Sequence, residues 1–300
     1  MAPTIFIAGA AGNTGVGVTK TLSNLFQTCT ALSNHRILAL TPSLNSPAAQ
    51  QLAQLPGVEH EVVRAFIACY VNPLQFVEES TFLLAALKAE VKYVVRISTA
   101  APNVHPDCPA YYPRSHWALE ALLSSPEFSG LQWTSLQPNG FAPTYLYSAA
   151  EFIRHYRKTG KQDTILRLMA SEDVPVGSID PAEVGVFAAY LLAQEDTASH
   201  NKPKYVLNGP EDITGRQIVT LVEQYIGASV ENVSFKDMSF VDSMVAASGD
   251  HGVFVSSVRH ALEVAWEGKC TASTTSKEVL EIAAPKRTAI EVLRELVGEE

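Results

Sequence analysis

Three hundred residues, 47% hydrophobic and 18% charged, suffice for one large α/β domain or for a nucleotide-binding domain with a smaller companion. A formal net charge of −9 without any long basic run argues against direct contact with a nucleic-acid backbone. No stretch approaches the ~20 continuous apolar residues of a membrane span, and no basic segment precedes an apolar leader, so a cytoplasmic protein is expected, with the nucleus as the alternative compartment. Cys29, Cys69, Cys108 and Cys270 are scattered without a CxxC pair. They read as reduced, packed thiols and offer neither a zinc site nor a catalytic cysteine by their spacing.

The first twenty residues carry the strongest pattern. An apolar run, Thr4 to Ala8, leads into Gly9-Ala10-Ala11-Gly12-Asn13-Thr14-Gly15, and apolar residues at helical spacing follow from Val16 to Phe26. Strand, glycine turn and helix in that order fit a dinucleotide-binding turn. Gly9 makes the tight turn, Gly12 admits a phosphate close to backbone, and Gly15 lets the helix lie against the strand. The amides of Ala11, Asn13 and Thr14 then join the positive end of the helix in facing a pyrophosphate.

The first helix is expected over 13–27 and the second strand over 35–41, stopped by Pro42. The end of that strand meets the adenosine ribose in such folds, where an acidic residue favours NAD and a basic one NADP. Thr41, Ser43 and Asn45 are neither, so the choice stays open, with Thr41 and Ser43 as candidate ribose or phosphate ligands. A short helix is expected over 47–55. Two strand-like patches then lie between Val58 and Val71 with no room for a crossover helix, which predicts one strand over 64–71 and the loss of one strand from the sheet.

A helix is predicted over 73–90, with Phe76, Val77, Ser80, Leu83, Leu84 and Leu87 on its inner side. Strands at 91–98 and 130–137 flank a Pro-rich loop and a helix at 110–124, and Pro138-Asn139-Gly140 makes a turn. This alternation specifies an α/β fold with a doubly wound parallel Rossmann sheet. Residues 1–140 would form the dinucleotide-binding domain, with part of 170–208 returning to it. Residues 141–300 would mainly form a smaller α+β substrate domain closing a cleft. There, helices are expected over 146–158, 181–194 and 215–225, strands over 163–169, 204–207 and 230–235, and a mostly helical remainder ending in an amphipathic turn at Ile290–Val297. Asp180-Pro181-Ala182-Glu183 and Thr214-Gly215-Arg216-Gln217 carry helix-start signals.

Gly9-x-x-Gly12-x-x-Gly15, Ser98 at a strand end, His116-Trp117-Ala118-Leu119-Glu120 on the next helix and Gln137-Pro138-Asn139-Gly140-Phe141 together resemble the NmrA-like family of atypical short-chain dehydrogenase/reductases. Asp180–Gly185 and Leu207–Thr214 are similar to further recurring segments of that family. The resemblance spans nearly the whole chain. It implies a Rossmann domain binding NADP or NAD, under a small C-terminal domain. Two departures fall on the adenosine half: Pro42 stands where NADP-preferring members carry arginine, and the third strand and its helix collapse into Val62-Val63-Arg64-Ala65-Phe66.

Typical members of the wider class use Tyr-x-x-x-Lys, whose spacing puts both side chains on one helix face. Here His116 and Glu120 occupy those positions. Histidine can relay a proton near neutral pH, whereas glutamate cannot supply the lysine charge; the alternative is a local His116–Glu120 ion pair on the helix surface. Tyr112, one turn earlier, is the second candidate acid. Ser98 and Thr99 are placed to bind substrate oxygen or nicotinamide, and Pro138 and Asn139 to line the nicotinamide pocket. Tyr145, Tyr147, Phe152 and Trp266 line either an apolar cleft or the core. No metal ligands are indicated. The expected activity is NAD(P)-dependent reduction of a small aromatic or quinone-like molecule; the rival is a non-catalytic NAD(P)-binding sensor that regulates a protein partner. No nucleic-acid or membrane partner is expected.

Overall fold

The computed structural model describes residues 3–40, 47–52 and 62–298. In chain order its first half comprises β1 (Thr4–Ala8), α1 (Gly15–Thr28), β2 (Arg36–Leu40), α2 (Pro47–Leu52), β3 (Val62–Ile67), α3 (Gln75–Lys88), β4 (Tyr93–Ile97), α4 (Tyr111–Leu123) and β5 (Gln132–Pro138). Then follow α5 (Ala142–Thr159), β6 (Leu166–Leu168), α6 (Pro181–Ala193), β7 (Lys204–Leu207), α7 (Gly215–Ile226) and β8 (Val233–Phe235). The last part is helical: α8 (Phe240–Ala247), α9 (Gly252–Ser256), α10 (Glu263–Trp266), α11 (Lys277–Ala283) and α12 (Ala289–Leu296). No helix among the described residues is long and apolar enough to cross a membrane.

Six parallel strands run in the order β2-β1-β3-β4-β5-β7. The sheet still has six strands among the described residues, so the expected loss of a strand is not borne out there; β3 is the single strand described between Val58 and Val71 and lies directly between β1 and β4. The strand begins and ends earlier than the predicted 64–71, because the chain leaves the sheet at Ala68 to pass over the glycine turn. There a Cβ on Gly9 would stand 3.1 Å from the Ala68 carbonyl oxygen.

Apolar residues cover both faces of the sheet, as a parallel sheet requires. On one face Ile5, Ile7, Phe66 and Val95 meet Val18 and Leu22 of α1 and Val184, Phe187 and Leu191 of α6. On the other, Ala65, Ile67, Val94 and Trp133 meet Leu83 of α3 and Leu119 and Leu123 of α4. α1 and α6 approach to backbone contact: a Cβ on Gly17 would lie 2.6 Å from the Ala182 carbonyl oxygen, and one on Gly185 would lie 2.8 Å from the Val18 nitrogen. Arg64 of β3 donates to the Leu192 carbonyl at the C-terminal end of α6, where the helix dipole favours a cation. The outer edge of β7 is covered, since Val206 exchanges backbone N–H and C=O bonds with the hydroxyl and amide of Ser276.

β6 and β8 pair in parallel as a separate two-stranded sheet. With α5, α7 and α12 they enclose a second core, including Leu146, Ile153, Leu168, Ile218 and Leu293. α5 begins four residues before its predicted start, immediately after Phe141, with Pro143 in its first turn. Both expected caps at α6 and α7 form: Asp180 accepts from the Ala182 amide, and Thr214 and Gln217 make a reciprocal capping box. Glu183 of α6 accepts from the amides of Lys286 and Arg287, and Arg287 pairs with Asp180 at 2.7 Å. Those bonds tie the approach to α12 onto the start of α6.

Candidate functional site

The glycine turn has the geometry its residues require. Gly9 has φ +77°, a left-handed conformation favouring glycine, and its carbonyl accepts from the Gly12 amide at 2.9 Å. A Cβ on Gly15 would fall 2.8 Å from the Gly9 carbonyl carbon and 2.9 Å from the Ala10 Cα, so only glycine fits where α1 meets β1. α1 starts without a side-chain cap and without an acidic residue in its first turn. Among the described residues, the amides of Ala11, Asn13 and Thr14 have no hydrogen-bond acceptor. Gly12 and Asn13 are exposed there. The result is an open ring of backbone donors at a positive helix end, suited to a diphosphate. Thr41 and Ser43, expected at the ribose, lie outside the described residues.

At the carboxyl ends of β4 and β5 the structure brings Ser98, Thr99, Tyr112 and Asn139 to one edge, with different freedoms. Ser98 is buried at 5% exposure, and its Oγ has no partner among the described residues. Thr99 Oγ1 and the Tyr112 hydroxyl are 3.3 Å apart. Burial pushes the Tyr112 phenol up from its ordinary value, against the opposing effect of the Thr99 bond. Tyr145 of α5 lies under Gly140, where a Cβ would come 3.0 Å from its Cδ2, and its buried hydroxyl also lacks a partner among the described residues. Asn139 is fully engaged: Nδ2 donates to the carbonyls of Gly177 and Cys270, and Oδ1 accepts from the Gly140 amide. It holds the turn and the 270 loop together instead of presenting an amide to a ligand. Pro138 is the last residue of β5, and it too is buried.

His116 is where the sequence expectation needs correction. The ring is 4% exposed and its Nδ1 accepts from Arg96 Nη2 at 2.8 Å. Burial, then the adjacent guanidinium, holds its pKa well below the usual imidazole value. A neutral ring with its basic nitrogen occupied cannot hand a proton into the cleft. Nor does it pair with Glu120 on a surface. Glu120 is buried, accepts from Ser135 and Gln137, and pairs with Lys204 at 2.9 Å.

Both belong to a buried polar cluster centred on Arg96, which is 0% exposed. Its Nε donates to Glu79 Oε1 at 2.6 Å, and its Nη1 to Ser135 Oγ at 3.0 Å. Burial disfavours the Arg96 charge, yet the neighbouring carboxylates of Glu79 and Glu120 outweigh that and raise its pKa. The Gln75 amide nitrogen lies 3.2 Å from His116 Nε2 while its oxygen is unpartnered. With Nδ1 accepting, Nε2 carries the proton, so the amide orientation that satisfies both groups turns the Gln75 oxygen toward the ring. The same cluster suppresses Cys69: burial first, then Glu79, pushes the thiol up to about 12.

This reorganises α3. Its buried residues are Gln75, Glu79, Leu83 and Ala86, while Phe76, Val77 and Leu84 are exposed, contrary to the apolar face expected from the sequence. The missed signal was Arg96 in the middle of an apolar strand. It stands in register with Ser135, and polar residues recur two positions on, at Ser98 and Gln137.

Sheet order, glycine turn and appended small sheet define an α/β, Rossmann-like fold that the chain shares with solved reductases and with NmrA. Among solved structures, the chain is similar to an NADPH-dependent quinone oxidoreductase from Escherichia coli in complex with NADPH. The TM-score is 0.70 at 18% identity, over 97% of this chain and 99% of that one. It is also similar to a Citrobacter triphenylmethane reductase complexed with NADP(H), with TM-score 0.67, 18% identity and 97% and 99% coverage. NmrA, a negative transcriptional regulator, has TM-score 0.68 at 14% identity, over 98% of this chain and 95% of that one. In sequence, the chain is 27% identical over 143 residues to (4-alkanoyl-5-oxo-2,5-dihydrofuran-3-yl)methyl phosphate reductase of Streptomyces griseus. That match covers 48% of this chain and 45% of that protein, so it spans about half the length of each. No protein-family profile matches the chain.

Proposed function

We propose that this protein is an NAD(P)H-dependent reductase of a small, apolar carbonyl or quinone-like molecule. The observation that carries it is the pairing of open amides at Ala11, Asn13 and Thr14 with the two buried, unpartnered hydroxyls of Ser98 and Tyr145 at the same sheet edge. Buried polar atoms without partners cost about 1–3 kcal/mol each, which a ligand oxygen would relieve. A dinucleotide fits this donor set, its diphosphate on the helix amides and its nicotinamide beside Ser98. It would supply the hydride.

The chain's residues do the rest. Ser98 and Tyr145 donate hydrogen bonds to oxygen atoms of the bound molecules. Tyr112, a neutral phenol beside Thr99, gives its proton to the oxygen that becomes negative on reduction. Its raised pKa matches an alkoxide better than a weakly basic oxygen. Arg96, Glu79, Gln75 and His116 hold α3 and α4 against the sheet and transfer no proton themselves in this scheme.

The test is NADPH consumption against a panel of quinones and enones, with Tyr112→Phe beside the wild type. Turnover that falls at least tenfold in the variant, with cofactor binding unchanged, supports the scheme. Bound cofactor without turnover on any member of the panel favours the second reading, a cofactor-binding regulator of a protein partner. That reading is favoured by the buried Glu120 where a catalytic lysine is typical, and the NmrA regulator shares the fold.

A further inference from the structure

Between α5, β6 and the start of α8 lies a cavity of about 620 Å³. Residues 143, 144, 147 and 148 form its α5 wall; Pro143 and Tyr147 project roughly opposite to residue 145 at helical spacing, and none of Ser98, Thr99, Tyr112 or Tyr145 is among its lining residues. β6 contributes Arg167 and Met169, and Phe240 and Leu296 close the remaining sides. Nothing in the proposed reduction uses it.

The size is that of pockets for drug-sized molecules. The lining is mostly apolar, yet Tyr147 and Phe240 remain exposed at its rim, at 58% and 41%. Its polar groups are few and sit together. Arg167 Nη1 pairs with Asp237 Oδ2 at 2.9 Å. Asp237 also accepts from the amide and hydroxyl of Ser239, and despite its burial these bonds hold its pKa down at about 2. The Asp237 charge is therefore permanent and cancels that of Arg167. What the wall offers a ligand is the remaining guanidinium N–H groups without net charge. The hydroxyls of Thr144 and Ser148 sit one helical turn apart on the α5 wall.

We propose that this cavity is a second binding site, for an uncharged, apolar molecule carrying a carbonyl oxygen that accepts from Arg167 and the α5 hydroxyls. A carboxylate is disfavoured, because Asp237 already compensates the guanidinium and the chain as a whole carries −9.

Nile red, an uncharged dye with a carbonyl group, is the probe. The full-length protein should enhance its fluorescence with one-to-one stoichiometry. 2-Decanone should displace it at least tenfold more effectively than decanoate. Ser148→Trp, which fills the cavity, should weaken the dye at least tenfold, and Arg167→Gln several-fold. Thermal melting of both variants within a few degrees of wild type separates loss of the site from loss of the fold. Saturating NADPH should leave the dye in place. Displacement by NADPH, equal displacement by decanoate, or unchanged binding to a folded Ser148→Trp protein would overturn the proposal.

Discussion

Arg96 and His116 meet across 2.8 Å, Nη2 donating to Nδ1, inside a cluster that also holds Glu79, Ser135 and Glu120. The bond fixes the imidazole as an acceptor and leaves Arg96 with two carboxylates around it. Removing the guanidinium strips Glu79 of its ion-pair partner in the core, while Glu120 keeps Lys204. Breaking a buried ion pair from one side costs about 3–5 kcal/mol. Arg96→Met should therefore lower the urea midpoint by more than any change at His116, or prevent folding.

His116 also sets part of the acid sensitivity. Its folded pKa lies below the unfolded value near 6.5. As pH falls through that value the unfolded chain takes up a proton that the folded ring refuses, so stability is full above it and declines below it. The slope for one group is at most about 1.4 kcal/mol per pH unit. His35 and His200 are shifted in the same direction by burial. The reading is therefore the difference between wild type and His116→Gln: urea midpoints between pH 7 and 5 should fall less steeply in the variant.

Activity should separate the two residues of α4 the other way. Tyr112→Phe removes the hydroxyl beside Thr99 with little change in packing, and general-acid catalysis is typically worth ~10²–10⁴-fold. His116→Gln should keep kcat within about threefold of wild type wherever it is folded. Steady-state kinetics of both variants, at a pH where both are fully folded, checks this.

Much of the scaffold is legible in the sequence. β–α alternation, the glycine turn, the caps at Asp180 and Thr214 and the single strand β3 follow from local pattern, because each is a short-range property of the chain. The interior of α3 is not. Phe76, Val77 and Leu84 look like a buried stripe, but Arg96 on a strand twenty residues away draws Gln75 and Glu79 inward. A hydrophobic periodicity cannot foresee which face a distant buried charge will claim. His116 follows the same rule: its spacing to Glu120 is local, while the partner of its ring is Arg96 on the sheet.

The glycines at the α1–α6 crossing give a packing test. An alanine at Gly185 would press against the Thr14 carbonyl and the Val18 nitrogen, both backbone atoms that cannot rotate away. Overpacking of this kind typically costs about 1–3 kcal/mol. Gly160→Ala is the comparison: its φ is +68° with open space around it, so the cost is conformational only, about 1 kcal/mol. Denaturant midpoints should rank Gly185→Ala as the less stable, and cofactor affinity should drop in that variant alone, since Thr14 belongs to the amide ring.

Calorimetric titration of the folded protein with NADPH and NADH is the most direct measurement of all. One-to-one binding by at least one of them is expected, with a dissociation constant in the micromolar range, and Gly12→Val should abolish it by closing the approach to the amides. A folded protein that takes up neither dinucleotide at about 1 mM would contradict a diphosphate grip at α1.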